Sequence, residues 1–587
     1  MSRKQKLELT WIGKENRPKL EPRILLEDRE RSYHASLRVS EGDHFDNRLI
    51  FGDNLLALKA LEQEFAGKIQ CIYIDPPFNT QQALEHYDDG MEHSLWLSLM
   101  RDRLKYLHVL LGRAGSLFIH IDDNELGYLI AIADEIFGRT NRVSIITFKQ
   151  SSVSGPKATN PGVVTTSNFV LWYARDKEYW KSYKGFVPTA RDKRYSRYII
   201  NYDDPCAEWR LDTVTNAFAR SLNVSARQLR HVFGARLEAE LESFVLADPR
   251  RVVRTARVQP KDVNADARAY LAESLEQPDR VVRSRRDGKE DYYFLNGEQL
   301  LFYSSKTKML DGRYITGEAL STIWDDLLSN NLHNEGGVEF PNGKKPEPLI
   351  KRILELTTQS GDWVLDSFAG SGTTGAVAHK MGRRWIMVEL GDHIHTHIIP
   401  RMRKVVDGDD PGGITKAVDW KGGGGFRYFR LAPSLLQKDR WGQMVINPEF
   451  NGAMLAEAMC KLEGFTYAPS DTVYWQHGRS TESDYIYVTT QHLGPDQLGQ
   501  LSDEVGDNHT LLVLCAAFRG DDARYPNLTV KKIPKQVLSR CEWGRDDYSL
   551  NVQNLPAAAA EPAAAPEPGP ARRRNTQPSL FGAEGGE

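Results

Sequence analysis

Residues 364–375 read VLDSFAGSGTTG, an apolar run that breaks into glycines before the chain resumes as AVAHK. Gly370, Gly372 and Gly375 satisfy a G-x-G-x-x-G spacing between a strand and a helix. Glycine lets the backbone turn sharply and approach a ligand closely. The helix that follows points free N–H groups at an anionic group. Glu389 ends the next apolar run, WIMVE, about where a carboxylate holds a ribose hydroxyl in such sites. Taken alone, the motif says only that the cofactor is nucleotide-like. A nicotinamide or flavin, S-adenosylmethionine and a purely structural turn all fit it.

Position narrows the choice. A nicotinamide-binding domain begins with this turn and needs several strands after it. Here the strand–helix rhythm ends near KGGGG at 421–425, which reads as the domain's edge. The remaining strands must come from earlier in the chain. LIFGDNLLALKA (49–60), IQCIYID (69–75), GSLFIHID (115–122), VSIITF (143–148) and SNFVLWY (167–173) supply them, with a helical pattern over 94–111. Alternating strands and helices imply an α/β layered domain with a mostly parallel sheet. The sheet is therefore circularly permuted, with the glycine turn near the end of its domain.

Other regions differ. Residues 180–335 are charged, helix-rich over 223–245 and irregular elsewhere. Residues 440–550 form a separate unit, with strands in YIYVTT and LLVLCAAF. Beyond 555, PAAAAEPAAAPEPGPARRR reads as a disordered linker. At 587 residues the chain exceeds what one core organises, so two to four domains are expected. Hydrophobic residues at 40% and charged residues at 26% fit a soluble globular protein. A net charge of −3 does not announce a nucleic-acid binder, so any DNA contact must come from local basic patches. The five cysteines, Cys71, Cys206, Cys460, Cys515 and Cys541, lack C-x-x-C spacing. That argues against a zinc site or disulfide scaffold and fits a reducing cytoplasm. No metal is expected. The N-terminus lacks a signal-peptide core, and no run is long and apolar enough to span a membrane.

Asp75-Pro76-Pro77-Phe78 follows directly on the run IQCIYI. Sites in α/β sheets lie at the carboxyl ends of strands. An exocyclic amine on adenine is a poor nucleophile, because its lone pair is delocalised into the ring. A carboxylate and a carbonyl accepting both N–H groups favour pyramidal nitrogen and stabilise the positive charge that grows as methyl arrives. The prolines fix φ and leave rigid carbonyl acceptors. Phe78 offers a face for a flipped-out base. The plain alternative is a strand-ending turn, which a neighbouring permuted glycine turn makes less apt.

Together these residues resemble the β-class DNA amino-methyltransferases, in which DPPF precedes FAGSGTT. The wider context resembles the modification subunits of type III restriction–modification systems. LELTWIGK, FGDNLLALKAL, YIDPPFNT, SLWLSLMRDRL, GSLFIHIDDNE, FPNGKKPEPLIKRIL and VLDSFAGSGTTGAVA stand in that family's order. The resemblance covers about 45–180 and 335–430 well, is weak over 180–335 and partial over 440–550. It implies that Asp75, Pro76, Pro77 and Phe78 are catalytic. Asp366, Phe368, Gly370, Gly372 and Thr373 hold the cofactor, the last four around its methionine portion. Glu389 takes the ribose and Asp53 the cofactor's adenine amine. Lys345, Pro346 and Leu349 pack near the methionine end. Trp96 and Arg101 match a pocket-lining helix, with core packing and a surface charge as the alternative. Phe78 departs from the commoner Tyr but keeps the stacking face.

The implied architecture is an N-terminal extension (1–45), a catalytic half (46–180), an inserted target-recognition domain (181–335), a cofactor half (336–432), a C-terminal α+β accessory domain (433–552) and a disordered tail (553–587). The Rossmann-like core would transfer a methyl group from S-adenosyl-L-methionine to N6 of adenine in double-stranded DNA, for restriction–modification or phage defence. Cytosine-N4 methylation and a non-catalytic DNA-binding specificity subunit are the rivals. The resemblance implies a homodimer. With no G-x-x-x-x-G-K-[ST] motif in the chain, a helicase or nuclease would be a separate subunit.

Two further features complete the reading. Lys181, Lys184, Arg191, Lys193, Arg194 and Arg197 interleave with Tyr179, Trp180, Tyr183, Tyr195 and Tyr198. Cations suit phosphates and aromatics suit stacking, whereas a basic run by itself is usually a solvated face. Its place in the insert favours DNA contact. Pro205-Cys206 resembles the nucleophile of cytosine-C5 enzymes, but it lies far from any strand end, and amine methylation needs no covalent enzyme intermediate. In the tail, Gln577, Leu580 and Phe581 of QPSLF resemble a motif that docks on the replication sliding clamp, and chance is the alternative.

Overall fold

The computed structural model describes residues 8–79, 92–151, 153, 163–259, 264–310, 313–327, 335–338, 340, 343–533, 541, 543–546 and 548. Its centre is a ten-stranded sheet. In chain order the strands are β1 (Leu25–His34), β2 (Asn47–Phe51), β3 (Ile69–Ile74), β4 (Leu111–Ile121), β5 (Arg142–Lys149), β6 (Ser167–Ala174), β7 (Ile323–Trp324), β8 (Trp363–Asp366), β9 (Arg384–Glu389) and β10 (Gly425–Leu431). Across the sheet the order is β1-β10-β2-β9-β8-β3-β4-β6-β5-β7. Only β1 and β6 run against the other strands. The two stretches of α/β pattern thus interleave. The strand before the glycine turn, β8, lies beside β3, which precedes Asp75, with Leu365 opposite Ile72.

The local causes are legible. β3 is a run of apolar and β-branched residues buried at all but one position, as expected of a strand covered on both faces. Helix α1 (Asn54–Phe65) starts where Asp53 accepts hydrogen bonds from the Leu55 and Leu56 N–H groups. Helix α2 (His93–Leu110) is capped by Glu92 and buries Trp96, Leu97, Met100, Leu104 and Leu107 at helical spacing. Helix α3 (Asp123–Ala133) follows β4. Past the middle of the chain come α4 (Glu347–Thr357), α5 (Thr373–Lys380) and α6 (Ile399–Asp407). One core joins these three helices to the sheet, through Leu349, Ile353, Val377 and Met402 against Cys71, Tyr73, Phe118, Val364 and Met387. Crossovers are right-handed. The step from β3 to β4 through α2 and the step from β8 to β9 through α5 go in opposite directions, so their helices cover opposite faces. The reversal between β3 and β8 is the switch point at which such sheets bind ligands.

Three features differ from the sequence reading. The irregular part of the 180–335 region is built of short strands. Six of them, of three to six residues between Arg197 and Phe302, form an antiparallel sheet, and Phe186–Pro188, Thr307–Leu310 and Arg313–Ala319 form another. Strands this short and charged carry no readable alternation. At β7 the chain is already back in the main sheet beside β5. The glycine run at 421–425 is not an edge, because it leads into β10, which pairs with β2. Gly422, Gly423 and Gly424 hold φ of +94°, +112° and +71°. A β-carbon there would lie within 3 Å of the Val406 carbonyl, the Asp43 carboxylate or the His44 carbonyl. The run is a tight passage that only glycine threads.

The C-terminal region holds a five-stranded sheet. Its strands Asp484–Val488, Thr510–Cys515 and Leu528–Lys532 are parallel, and helix Pro495–Val505 crosses between the first two. This part is a βαβ arrangement, while Thr466–Tyr467 and Gly478–Arg479 add antiparallel strands to the same sheet. Among the described residues no helix is long and apolar enough to cross a membrane, and no group of three or more His, Cys, Asp or Glu could hold a metal ion. Gln577, Leu580 and Phe581 lie outside the described residues.

Candidate active site

Four neighbouring strands, β2, β9, β8 and β3, end at the same edge of the sheet. They deliver Asp53, Glu389, the glycine turn and Asp75 in that order. The Asp75 carboxylate pairs with the Lys345 ammonium, Oδ2 to Nζ 2.5 Å. Lys345 Nζ also lies 5.1 Å from the centre of the Phe78 ring. The sequence reading placed Lys345 with the cofactor's methionine end. In the structure it lies on the carboxylate and aromatic ring of the DPPF motif.

Two residues hold that motif in place. Trp96 is fully buried, and its indole N–H donates to the Pro77 carbonyl at 2.9 Å. It is both core and support, so the two alternatives read from sequence coincide. Behind Phe78 lies the buried His120 ring, 5.9 Å away and tilted by only 17°. Burial, helped by the charge of Lys345, holds His120 well below the ordinary histidine range. Neutral, it contacts Tyr73 Oη at 3.0 Å and Asn168 Nδ2 at 3.3 Å. Sequence reasoning missed His120 and Tyr73. The signal was present in the period-two spacing of β4, which sends His120 to the same face as the core residue Phe118. Arg101 is also buried, but it donates to the backbone carbonyls of Lys14 and Asn16 and pairs with Asp102. It ties down the N-terminal segment.

The glycine turn is organised by carboxylates. Glu389 Oε2 accepts the Gly370 N–H at 2.8 Å, and Oε1 accepts the Gly391 N–H at 2.9 Å. Asp366 accepts the Phe368 N–H at 2.9 Å and the Thr374 hydroxyl at 2.5 Å. Gly370 and Gly372 hold φ of +53° and +77°. A β-carbon on Gly370 would meet nothing nearer than 3.9 Å, so that side of the turn is open. One on Gly372 would come 3.0 Å from the Ile398 side chain. A side chain there strains the protein itself. Gly375 lets α5 lie close to β9, since its β-carbon would strike Met387 at 2.3 Å.

Asp53, read from sequence as the partner of the cofactor's adenine amine, is bonded within the chain. Oδ1 caps α1, while Oδ2 accepts the Tyr548 N–H at 2.9 Å and lies 3.4 Å from Arg103. The carboxylate is buried and bonded on both oxygens. Ser367, next to Asp366, is buried with a hydroxyl that has no partner among the described residues. An open glycine, two carboxylates at strand ends and an unmatched hydroxyl fit a polar nucleotide-like cofactor at this turn.

The Asp366 carboxyl is pushed up to about 7 by burial, against its two hydrogen bonds and with help from the charges of Asp75 and Glu389. A raised folded pKa contributes stability that is full below the ordinary value of 3.8 and is lost as pH rises through about 7. Relative to the neutral Asp366→Asn, the wild type should lose roughly 2–3 kcal/mol between pH 5 and pH 8 in denaturant titrations. A stability difference that does not vary over this range would show Asp366 ionised throughout.

The basic stretch divides. Arg194 pairs with Asp192, while Lys193 and Arg191 lie 3.2 and 3.7 Å from Glu238. Lys181, Lys184 and Arg197 are exposed, with no ion pair among the described residues. The aromatics mostly anchor. Trp180 packs on Trp172 and donates to Ser116, Tyr195 packs on Tyr303, and Tyr198 stacks on Phe244. Cys206 packs beside Ile199 and Trp209.

Comparison with known proteins agrees with this arrangement. Residues 69–400 match the N6/N4 methyltransferase family model, described as DNA methylase. The chain is 33% identical over 424 residues to the "Probable type III restriction-modification enzyme HindVI Mod subunit" of Haemophilus influenzae, covering 68% of this chain and 55% of that one. It is 29% identical over 437 residues to the type III restriction-modification enzyme EcoP15I Mod subunit of Escherichia coli, covering 65% and 63%. The chain thus spans less than two thirds of either relative. A solved structure of the PvuII cytosine-N4-specific DNA methyltransferase covers 65% of this chain and 93% of its own at 15% identity, with a TM-score of 0.30 that is too low to argue from. With more than half of its 587 residues matched, the chain belongs to the N6/N4 DNA methylase family.

Proposed function

We propose that this chain transfers a methyl group from S-adenosyl-L-methionine to N6 of adenine in duplex DNA, as the modification component of a restriction–modification system. One observation carries the reading: Asp75 and the glycine turn close neighbouring parallel strands at the sheet's switch point. The Mod subunits to which the chain is similar support it.

Each residue then has a task. S-adenosyl-L-methionine supplies an electrophilic methyl group on a sulfonium. Gly370, Phe368, Thr373, Asp366, Ser367 and Glu389 would hold it. Asp53 is left out of this set, because its carboxylate caps α1 and binds Tyr548. Asp75 exchanges Lys345 for one N–H of the target amine, and the rigid Pro76 carbonyl takes the other. Both acceptors draw the nitrogen toward pyramidal geometry. Phe78, backed by His120, stacks the extruded base. The nitrogen gains a methyl group and gives up one proton. Asp75, partly exposed, can accept that proton and pass it to water.

Lys181, Lys184 and Arg197 are proposed as phosphate contacts of the recognition region, with Arg191, Lys193 and Arg194 released from their carboxylates on DNA binding. A homodimer, a separate helicase or nuclease chain, a cytoplasmic setting and clamp docking through Gln577, Leu580 and Phe581 belong to the same proposal. The deciding experiment expresses the chain in cells that lack adenine methylation and hydrolyses their DNA for nucleoside mass spectrometry. N6-methyladenine at one sequence context is expected. N4-methylcytosine would move the reading to the rival amine, and no methylated base would remove the activity.

A further inference from the structure

Behind the glycine turn lies a fully buried cluster of four charges. Lys380, the last residue of α5, reaches Glu347 Oε2 at 2.9 Å and Asp410 at 2.6 Å. Arg401 in α6 reaches Glu347 Oε1 at 2.8 Å. All four side chains are excluded from water. Two cations against two carboxylates leave no net charge, which is what burial requires. Glu347 also accepts the Ile414 N–H at 3.0 Å. The fit is close, since a β-carbon on Gly413 would come 2.0 Å from the Glu347 carboxylate.

The second guanidinium nitrogen of Arg401 points elsewhere. Nη1 donates to the Ser371 carbonyl at 3.1 Å and to the Thr373 hydroxyl at 2.8 Å. Arg401 therefore holds the glycine turn from behind with one nitrogen and Glu347 with the other. Glu347 opens α4 and stands two residues after Lys345, whose ammonium holds Asp75. The path is continuous: turn, Arg401, Glu347, Lys345, Asp75. A planar fork suits such a two-way bridge, and a lysine cannot reproduce it.

We infer that Arg401 and Glu347 are positioning residues that fix the cofactor turn relative to Asp75, so that methyl donor and target amine are held in register. Neither touches the reacting atoms. The register they set is of the kind in which a displacement near 1 Å can lower a rate about a hundredfold. The inference rests on the proposed function for its meaning, while the grip on the turn can be measured without any cofactor.

Arg401→Lys keeps the charge balance and removes the fork. In the cofactor-free full chain, hydrogen–deuterium exchange of the amides at 369–375 should quicken at least tenfold, with peptides from 484–532 unchanged. S-adenosyl-L-methionine should bind at least tenfold more weakly by calorimetry, with little change in melting temperature. Thr373→Val, which removes one acceptor of Arg401 and no charge, should quicken the same amides to a smaller degree and serves if Arg401→Lys does not fold. Unchanged exchange at the turn in the folded variants would overturn the positioning role, and so would unchanged cofactor affinity in Arg401→Lys when the wild type binds. Quickened exchange in the variants, with a wild type that binds no S-adenosyl-L-methionine, would leave the bridge standing and fail the proposed function instead.

Discussion

Replacing Asp75 with alanine is expected to lower methyl transfer by roughly 10^2–10^3-fold or more, the range seen when one preorganised electrostatic partner is removed from a reacting centre. Cofactor affinity should stay within about threefold, because Glu389, Asp366 and the glycine turn are held by bonds that do not involve Asp75. Asp75→Asn is the sharper variant. It keeps the shape but presents an amide donor to the amine's own N–H, and it weakens the pairing with Lys345. Single-turnover methylation of an unmodified duplex reads the effect, with calorimetry as the control. Transfer within tenfold of wild type would remove Asp75 from the chemistry.

Glu389→Ala should be nearly as severe, through the cofactor. The carboxylate is buried and accepts two backbone N–H groups, one from the turn and one from the chain beyond β9. Charge-assisted bonds of this kind contribute about 1.5–3 kcal/mol each. Losing them, together with any bond to a ribose, should weaken S-adenosyl-L-methionine binding at least about a hundredfold, or ~2.7 kcal/mol. Glu389→Gln keeps one acceptor oxygen and should fall between. Duplex binding, read by fluorescence anisotropy without cofactor, should not change. If Glu389→Ala binds cofactor as the wild type does, the nucleotide-like ligand sits elsewhere.

Much of this site was legible before any coordinates. Asp75 and the glycines announce themselves, because strand-end chemistry uses few residue types in short order. Glu389 follows from the length of one βαβ step. The partners of these residues were harder to read. His120 backs Phe78 from a different strand, and Arg401 grips Ser371 from thirty residues away. Such pairings depend on which strands neighbour each other, and spacing along a chain does not carry that. Asp53 carries bonds that spacing did not show. This acid at a strand end, read as a ligand-binding group, also starts a helix and accepts the Tyr548 N–H. The pairing of Lys345 with Asp75 could not be read either, because a motif fixes a residue's neighbourhood and not which partner it takes.

The central place of β8 also bears on how the chain is made. The first half of the sheet leaves the ribosome with a gap, because β2 and β3 are separated by β9 and β8, which lie about 290 residues further along the chain. At about 5–20 residues per second, β3 waits on the order of 15–60 s for its neighbour. During that interval an apolar strand bearing Asp75 has an unpaired edge, the kind of surface that chaperones cover and that aggregates when left bare. Closing the gap joins strands far apart in sequence, a slow and late event in folding. A nascent or truncated chain lacking the second half therefore has no partial activity to lose: the strands that fill the gap beside β3 are the ones that carry the glycine turn and Glu389.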